Sequence, residues 1–182
     1  MKKFSVKSIV AVGIGAALFF VLGRFVAIPS GIPDTNITIQ YGILAFIAAL
    51  FGPIAGVLTG LIGHFFIDFS WGWGVWWSWV IASAFFGFVM GFVAKKLKVE
   101  EGEFGGKDII IFNIAQIIAH LLAWVVIAPV LDILMYQEPA NKVFVQGLLS
   151  AGINIVATAV VGTLLCFAYA KARPKKGSLK EE

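Results

Sequence analysis

Apolar residues in this chain fall into long blocks, broken by short polar, glycine and proline punctuation. The blocks predict six membrane-spanning helices at about residues 8–27, 39–51, 53–69, 75–94, 109–130 and 143–170. The first should end where Pro29, Gly31 and Pro33 disfavour further helix, and a polar stretch with Thr35, Asn36, Thr38 and Gln40 follows. The second block is short for a bilayer crossing, which suggests tilt or a locally thinner path. Gly52-Pro53 then turns the chain directly into the third. A turn at 70–74 precedes the fourth, and 95–108 is the most hydrophilic internal stretch, expected to be mobile. Pro129, Pro139 and Asn141 mark the connection between the fifth and sixth, and the charged tail from Lys171 is expected to fray. The two halves do not mirror each other, which argues against a self-sufficient inverted-repeat transporter.

Composition agrees with the blocks: 60% hydrophobic, 13% charged, mean hydropathy +0.95. A soluble domain would be roughly half apolar and a quarter charged. Six spans leave only short loops and tails, so no soluble catalytic or nucleotide-binding domain fits inside this chain. Lys2 and Lys3 before an apolar run resemble a signal peptide, but a clean small-residue cleavage site is missing and the run reads as a retained first span.

Charge orients the path. Twelve of the fourteen Lys and Arg residues lie in the two tails and the 95–108 loop, which a six-pass path puts on one side together with six acids; Arg24 and Lys142 face four acids on the other. Cationic loops resist translocation, so both termini are expected in the cytoplasm of a multi-pass cell-membrane protein surrounded by lipid. The basic balance is thus topological. It carries no nucleic-acid recognition motif.

Several polar residues interrupt the apolar spans. Asn113, Gln116, His120 and Trp124 recur every three or four residues on span five, and Gln146, Ser150, Asn154 and Thr158 every four on span six. Each set makes a polar stripe along one helix face. Interhelical hydrogen bonds, worth about 0.6 kcal/mol each in membranes, are the bland explanation, and a polar cleft opening outward is the functional one. Five of the six tryptophans, Trp71, Trp73, Trp76, Trp77 and Trp79, crowd the start of span four. An interfacial belt explains some of them; one or two facing inward would stack on a flat ligand. His64 and Asp68 share one face of span three, as a cap, an ion pair or a two-ligand fragment of a metal site with no third ligand nearby in sequence.

Small residues appear at close-packing spacing in Gly13-x-x-x-Ala17, Gly56-x-x-x-Gly60 and Gly87-x-x-x-Gly91, with intramolecular packing the default reading. The surface of span one is small over much of its face, which suits docking to another helix or protein. The lone Cys166 excludes an intrachain disulfide and a cysteine metal cluster. No phosphate loop, nucleophile elbow, metalloprotease helix or dense carboxylate relay is present. No cofactor, metal or catalytic residue is expected.

The residues Gly13 to Arg24, Ile28-Pro29-Ser30-Gly31-Ile32-Pro33, Phe51-Gly52-Pro53-Ile54-Ala55-Gly56, and Gly63-His64 onward to Trp79-Val80-Ile81-Ala82-Ser83 resemble the S components of energy-coupling factor (ECF) vitamin transporters. More narrowly they are similar to the group labelled ECF-type riboflavin transporter S component, over roughly residues 8–170. The resemblance implies an all-α membrane protein, a bundle of six transmembrane helices with both termini inside. It implies outward capture of a water-soluble vitamin, riboflavin first, and inward release by toppling on a transmembrane coupling protein driven by two ATPase subunits. It places Gly13 and Ala17 at the positions of an Ala-x-x-x-Ala docking motif, with glycine replacing the first alanine.

From the polar stripes and the tryptophan cluster, the expected substrate contacts are Asn36 and Gln40, Trp77 and Trp79 for stacking, and His120, Gln146, Ser150 and Asn154 for ring heteroatoms. Cobalamin, a thiamine precursor or a queuosine-type base are the alternative substrates that relatives of this kind handle. A non-transport membrane scaffold, and a small membrane enzyme using His64 and Asp68, are the readings from other classes. Arg24 is expected to neutralise Asp34 or Asp68, or else to bind an anionic ligand group.

Overall fold

The computed structural model describes residues 5–32, 35–72, 74–93 and 96–173. Six helices form the bundle: α1 Val6–Phe25, α2 Gln40–Phe51, α3 Pro53–Trp71, α4 Trp77–Val93, α5 Gly106–Tyr136 and α6 Ala140–Ala172. Four of them (α1, α3, α5 and α6) are long and apolar enough to cross a membrane. Helix α2, only twelve residues long, buries nine of them, including Tyr41, Leu44 and Ala45. It is enclosed by its neighbours, so it need not match the bilayer thickness itself.

Local chemistry sets the helix limits. Ser5 caps α1, accepting the Ser8 backbone N–H at 3.2 Å while the Ser8 hydroxyl lies 3.5 Å from the Ser5 N–H. Gly52, at φ +88°, makes the abrupt turn from α2 into α3, and Pro53 follows as the first residue of α3, where its missing N–H costs nothing. Between α1 and α2 the chain forms a minimal antiparallel hairpin, β1 Ile28–Pro29 with β2 Asn36–Ile37, rather than an irregular polar segment. Its two-residue strands are too short for an alternating pattern to show in sequence.

Helix α5 corrects one expectation. Pro129 does not end the fifth helix, which continues to Tyr136. The turn just before the proline widens into π-type geometry over Leu122–Ile127, with the Ala128 N–H bonding five residues back to Ala123. An interior proline clashes with the carbonyl four residues earlier, and a wider turn relieves the clash without breaking the helix. A second wide turn, Thr158–Gly162, lies in α6.

Close backbone approach joins α3 to α4. A Cβ on Gly56 would sit 2.2 Å from the Gly87 carbonyl oxygen, one on Gly60 2.6 Å from that of Ser83, and one on Gly91 2.3 Å from Pro53 backbone. These glycines pack within the chain. Gly13 is the opposite case: a Cβ there meets nothing within 4 Å, and Ala17 one turn on is also exposed.

The hydrophilic connection between α4 and α5 is also not a free loop over its described part. Leu97, Val99 and Phe104 are buried against the bundle, and Lys7 of α1 lies 3.7 Å from Glu100. The start of α1, this connection and the end of α6 therefore share one end of the bundle. The hairpin, Trp71, Trp76 and Tyr136 mark the other.

Candidate functional site: a tryptophan-lined cavity

At the tryptophan-rich end the helices enclose a cavity of about 330 Å³. That is within the range of small-molecule sites, roughly 300–1,000 Å³. The hairpin supplies Thr35, Asn36 and Thr38; α2 supplies Gln40 and Tyr41; α3 supplies His64, Asp68 and Trp71. Trp76 and Trp79 enter from α4 and the turn before it, Trp124 and Asp132 from α5, and Gln146, Ser150 and Asn154 from α6.

Six of the eight expected contacts thus meet at one place: Asn36, Gln40, Trp79, Gln146, Ser150 and Asn154. The four-residue spacing on α6 is responsible for three of them, because it holds one face to the cavity for two turns. Trp77 and His120 do not line it. Trp77 is exposed on the outside of the bundle, beside Phe65, and the neighbouring Trp76 turns inward instead. Trp76 lies in the turn before α4 and Trp77 opens the helix, and the sequence cluster offers no phase to choose which of them faces inward.

His120 is fully buried beneath the cavity. Its Nδ1 accepts the Trp124 indole N–H at 3.0 Å, so its Nε2 carries the proton and donates to Thr158 Oγ1 at 2.9 Å. Its ring also stacks on Phe86, with centroids 4.0 Å apart. Most of the α5 stripe does the same kind of work: Asn113 donates to Thr163 Oγ1 at 3.0 Å and Gln116 to the Ile155 carbonyl at 3.3 Å. These bonds fasten α5 to α6. Trp124, at the top of that stripe, reaches the cavity and packs against Trp79 and Tyr41 at centroid distances of 5.2 and 5.3 Å.

Asp132 is the residue that the reading of Pro129 as a helix end concealed. Its Oδ1 accepts the Trp76 indole N–H at 2.6 Å and the Ser78 hydroxyl, and its Oδ2 accepts the Trp79 indole N–H at 2.8 Å. Three donors from one segment converge on a carboxylate that is only 1% exposed. The indoles are thereby held edge-on to α5, and Trp76 is additionally stacked on Tyr136 at 4.3 Å.

His64 and Asp68 face each other, Nε2 to Oδ1, at 3.6 Å, and Asp68 Oδ2 accepts the Trp76 backbone N–H at 2.9 Å. On its other side His64 Nδ1 lies 2.5 Å from Ser83 Oγ, which lies 2.7 Å from the Tyr41 hydroxyl. Ser83 and Tyr41 are signals that spacing within one helix cannot carry. Among the described residues no group of three metal-ligating side chains exists. Arg24 does not pair with Asp68; its guanidinium lies 3.8 Å from the Trp71 ring centre, and Asp34 lies outside the described residues, as does Trp73.

A helical bundle with a small-molecule-sized cavity at one end and, among the described residues, four helices fit to span a bilayer has the make-up of a membrane protein with a candidate binding site. Residues 3–171 match the family model described as ECF-type riboflavin transporter, S component, and the chain belongs to that family. It is accordingly a substrate-specific subunit of an ECF-type transporter, a class of transport subunits and not of enzymes. UPF0397 proteins of Staphylococcus aureus strains MSSA476 and Newman are each 53% identical over 184 residues, covering 100% of both chains. The crystal structure of the S-component for biotin from an ECF-type ABC transporter superposes with a TM-score of 0.64 over 97% of this chain and 96% of that one, at 18% identity. At that identity the likeness concerns the fold.

Proposed function

We propose that this subunit captures a flat, water-soluble vitamin in the tryptophan-rich cavity, from outside the cell, and delivers it inward when docked on an ATP-driven coupling module. The observation that carries the reading is the cavity itself, in which indole faces from α4 and α5 oppose the Gln146, Ser150 and Asn154 side chains of α6. Apolar rings give area and stacking, and the amides and hydroxyl give orientation. Riboflavin, the vitamin in the family description, is the first ligand to test. The bundle end that gathers Lys7, Lys98, Lys107 and Lys171 is the cytoplasmic one in this reading, by the same charge rule that applies to short loops. The exposed Gly13 and Ala17 face of α1 offers close approach to a helix of the transmembrane coupling protein, with two ATPase subunits beyond it.

Titration of the purified chain with riboflavin, followed by tryptophan fluorescence and calorimetry, tests the capture step. Saturable binding that Asn154→Ala and Trp79→Ala each weaken about tenfold is the expected result. Binding unaffected by both substitutions would remove the cavity from the proposal.

A further inference from the structure

The described residues lining the cavity include the carboxylates of Asp68, Asp132 and Glu138 and a single ammonium, that of Lys142. Trp76 ties Asp68 and Asp132 together, giving its backbone N–H to one and its indole N–H to the other. Among the described residues neither carboxylate has a Lys or Arg within ion-pair distance. Lys142 also lines the cavity, and its ammonium lies 3.0 Å from Glu138.

The two carboxylates differ in how far they are satisfied. Asp132 accepts three strong donors on its two oxygens and is complete without a ligand. Asp68 accepts one backbone N–H and faces His64 Nε2 from 3.6 Å, longer than a hydrogen bond. On its far side His64 Nδ1 shares a hydrogen bond with Ser83 Oγ, which also meets the Tyr41 hydroxyl and lies 3.1 Å from the Trp79 carbonyl oxygen, to which it can donate. A carboxylate has about four acceptor positions, so Asp68 keeps capacity for a donor in the cavity.

A second acceptor, on a residue that lines the same cavity, lacks a partner. Gln40 Oε1 is buried and has no hydrogen-bond partner, although Gln40 is 6% exposed and lines the cavity. It packs beside Ile67, the residue before Asp68, where both side chains close on Gly23 of α1. A buried unpaired acceptor is costly, and native structures rarely keep one without a ligand or water to meet it.

Resting on the capture reading above, we infer that the preferred ligand is a nitrogen heteroaromatic carrying an exocyclic amino or amidinium edge. That edge donates to Asp68 and Gln40 Oε1 while the ring packs on Trp79 and Trp124. A carboxylate- or phosphate-bearing edge at the same point would meet Asp68, which has no Lys or Arg within ion-pair distance among the described residues. Exchanging the amino group for oxo puts an acceptor in place of the donor that faces Asp68.

The test uses the full-length purified chain and matched probe pairs that exchange amino for oxo: 4-amino-2-methylpyrimidine and its 4-oxo form, adenine and hypoxanthine, 2,4-diaminopteridine and the 2,4-dione. Riboflavin is the neutral three-ring comparator. Calorimetry should give at least one amino probe an affinity about tenfold or more above its oxo partner. Asp68→Asn should reduce that preference to within about twofold, and Gln40→Leu, which leaves the His64 contacts intact, should reduce it in the same direction. Equal binding of amino and oxo partners, or a preference that survives both substitutions in folded protein, overturns the inference. Riboflavin binding more tightly than every amino probe, and unchanged by Asp68→Asn, overturns it while leaving the capture reading in place. Failure of every probe including riboflavin to bind folded protein overturns both.

Discussion

Asp132 Oδ2 accepts the indole N–H of Trp79 at 2.8 Å, joining residues 53 positions apart in the chain. With Trp76 and Ser78 on its other oxygen, the same carboxylate fixes the start of α4 against the far end of α5. The wall of the cavity is therefore pinned by a group that need not touch ligand.

Replacing Asp132 with alanine leaves three buried donors unmet. A loss of about 2–4 kcal/mol in stability is expected, read as a lowered unfolding temperature by intrinsic fluorescence. Ligand affinity should fall about tenfold or more as the two indoles lose their orientation. Asp132→Asn keeps the shape and one acceptor and should lose less on both measures.

The tryptophans of the cluster should separate by position. Trp79→Ala removes a cavity wall and is expected to weaken ligand binding by about 1–2 kcal/mol, roughly five- to thirtyfold. Trp77→Ala, on the outside of the bundle, should leave affinity within about twofold. Equal losses from both, measured by calorimetry, would contradict the assigned facing.

His120 is packed beneath the cavity and bonded to Trp124 and Thr158, so its loss should register in stability. His120→Ala breaks the bonds to Trp124 and Thr158 and the stacking on Phe86, with an expected cost of about 2–4 kcal/mol in thermal unfolding. Any change in ligand affinity should be secondary, through the seat of Trp124. A rise in dissociation constant without loss of stability would instead make His120 a contact.

The glycines divide into those that cannot accept a side chain and those, such as Gly13, that can. Gly56→Leu and Gly87→Leu drive carbons into opposing backbone and should abolish the folded, monodisperse protein in size-exclusion chromatography. Gly13→Leu meets open space and should preserve both folding and ligand binding. In membranes containing the complete transporter, the same Gly13→Leu should cut uptake severely if that face docks on the coupling protein.

Much of this arrangement is legible in one dimension. Long apolar blocks specify helices because only internally hydrogen-bonded segments are stable in lipid. The four-residue recurrence of Gln146, Ser150 and Asn154 already selects one face of α6, because a helix repeats every 3.6 residues. Gly56, Gly60, Gly87 and Gly91 likewise show close packing before any partner is known. Pro129 misled for a local reason: the clash it creates was absorbed by a wider turn, which carried Asp132 into the site.

The sequence by itself determined the number of helices, their approximate limits and the polar faces that make a site in this bundle conceivable. Only the tertiary structure decided that the α5 stripe fastens helices while the α6 stripe faces the cavity, that Trp76 turns in and Trp77 out, and that Tyr41, Ser83, His64 and Asp68 form one relay. The reason is geometric. Periodicity reports which residues share a face of one helix, whereas a site depends on which faces of different helices meet, and that is settled by packing among residues tens of positions apart.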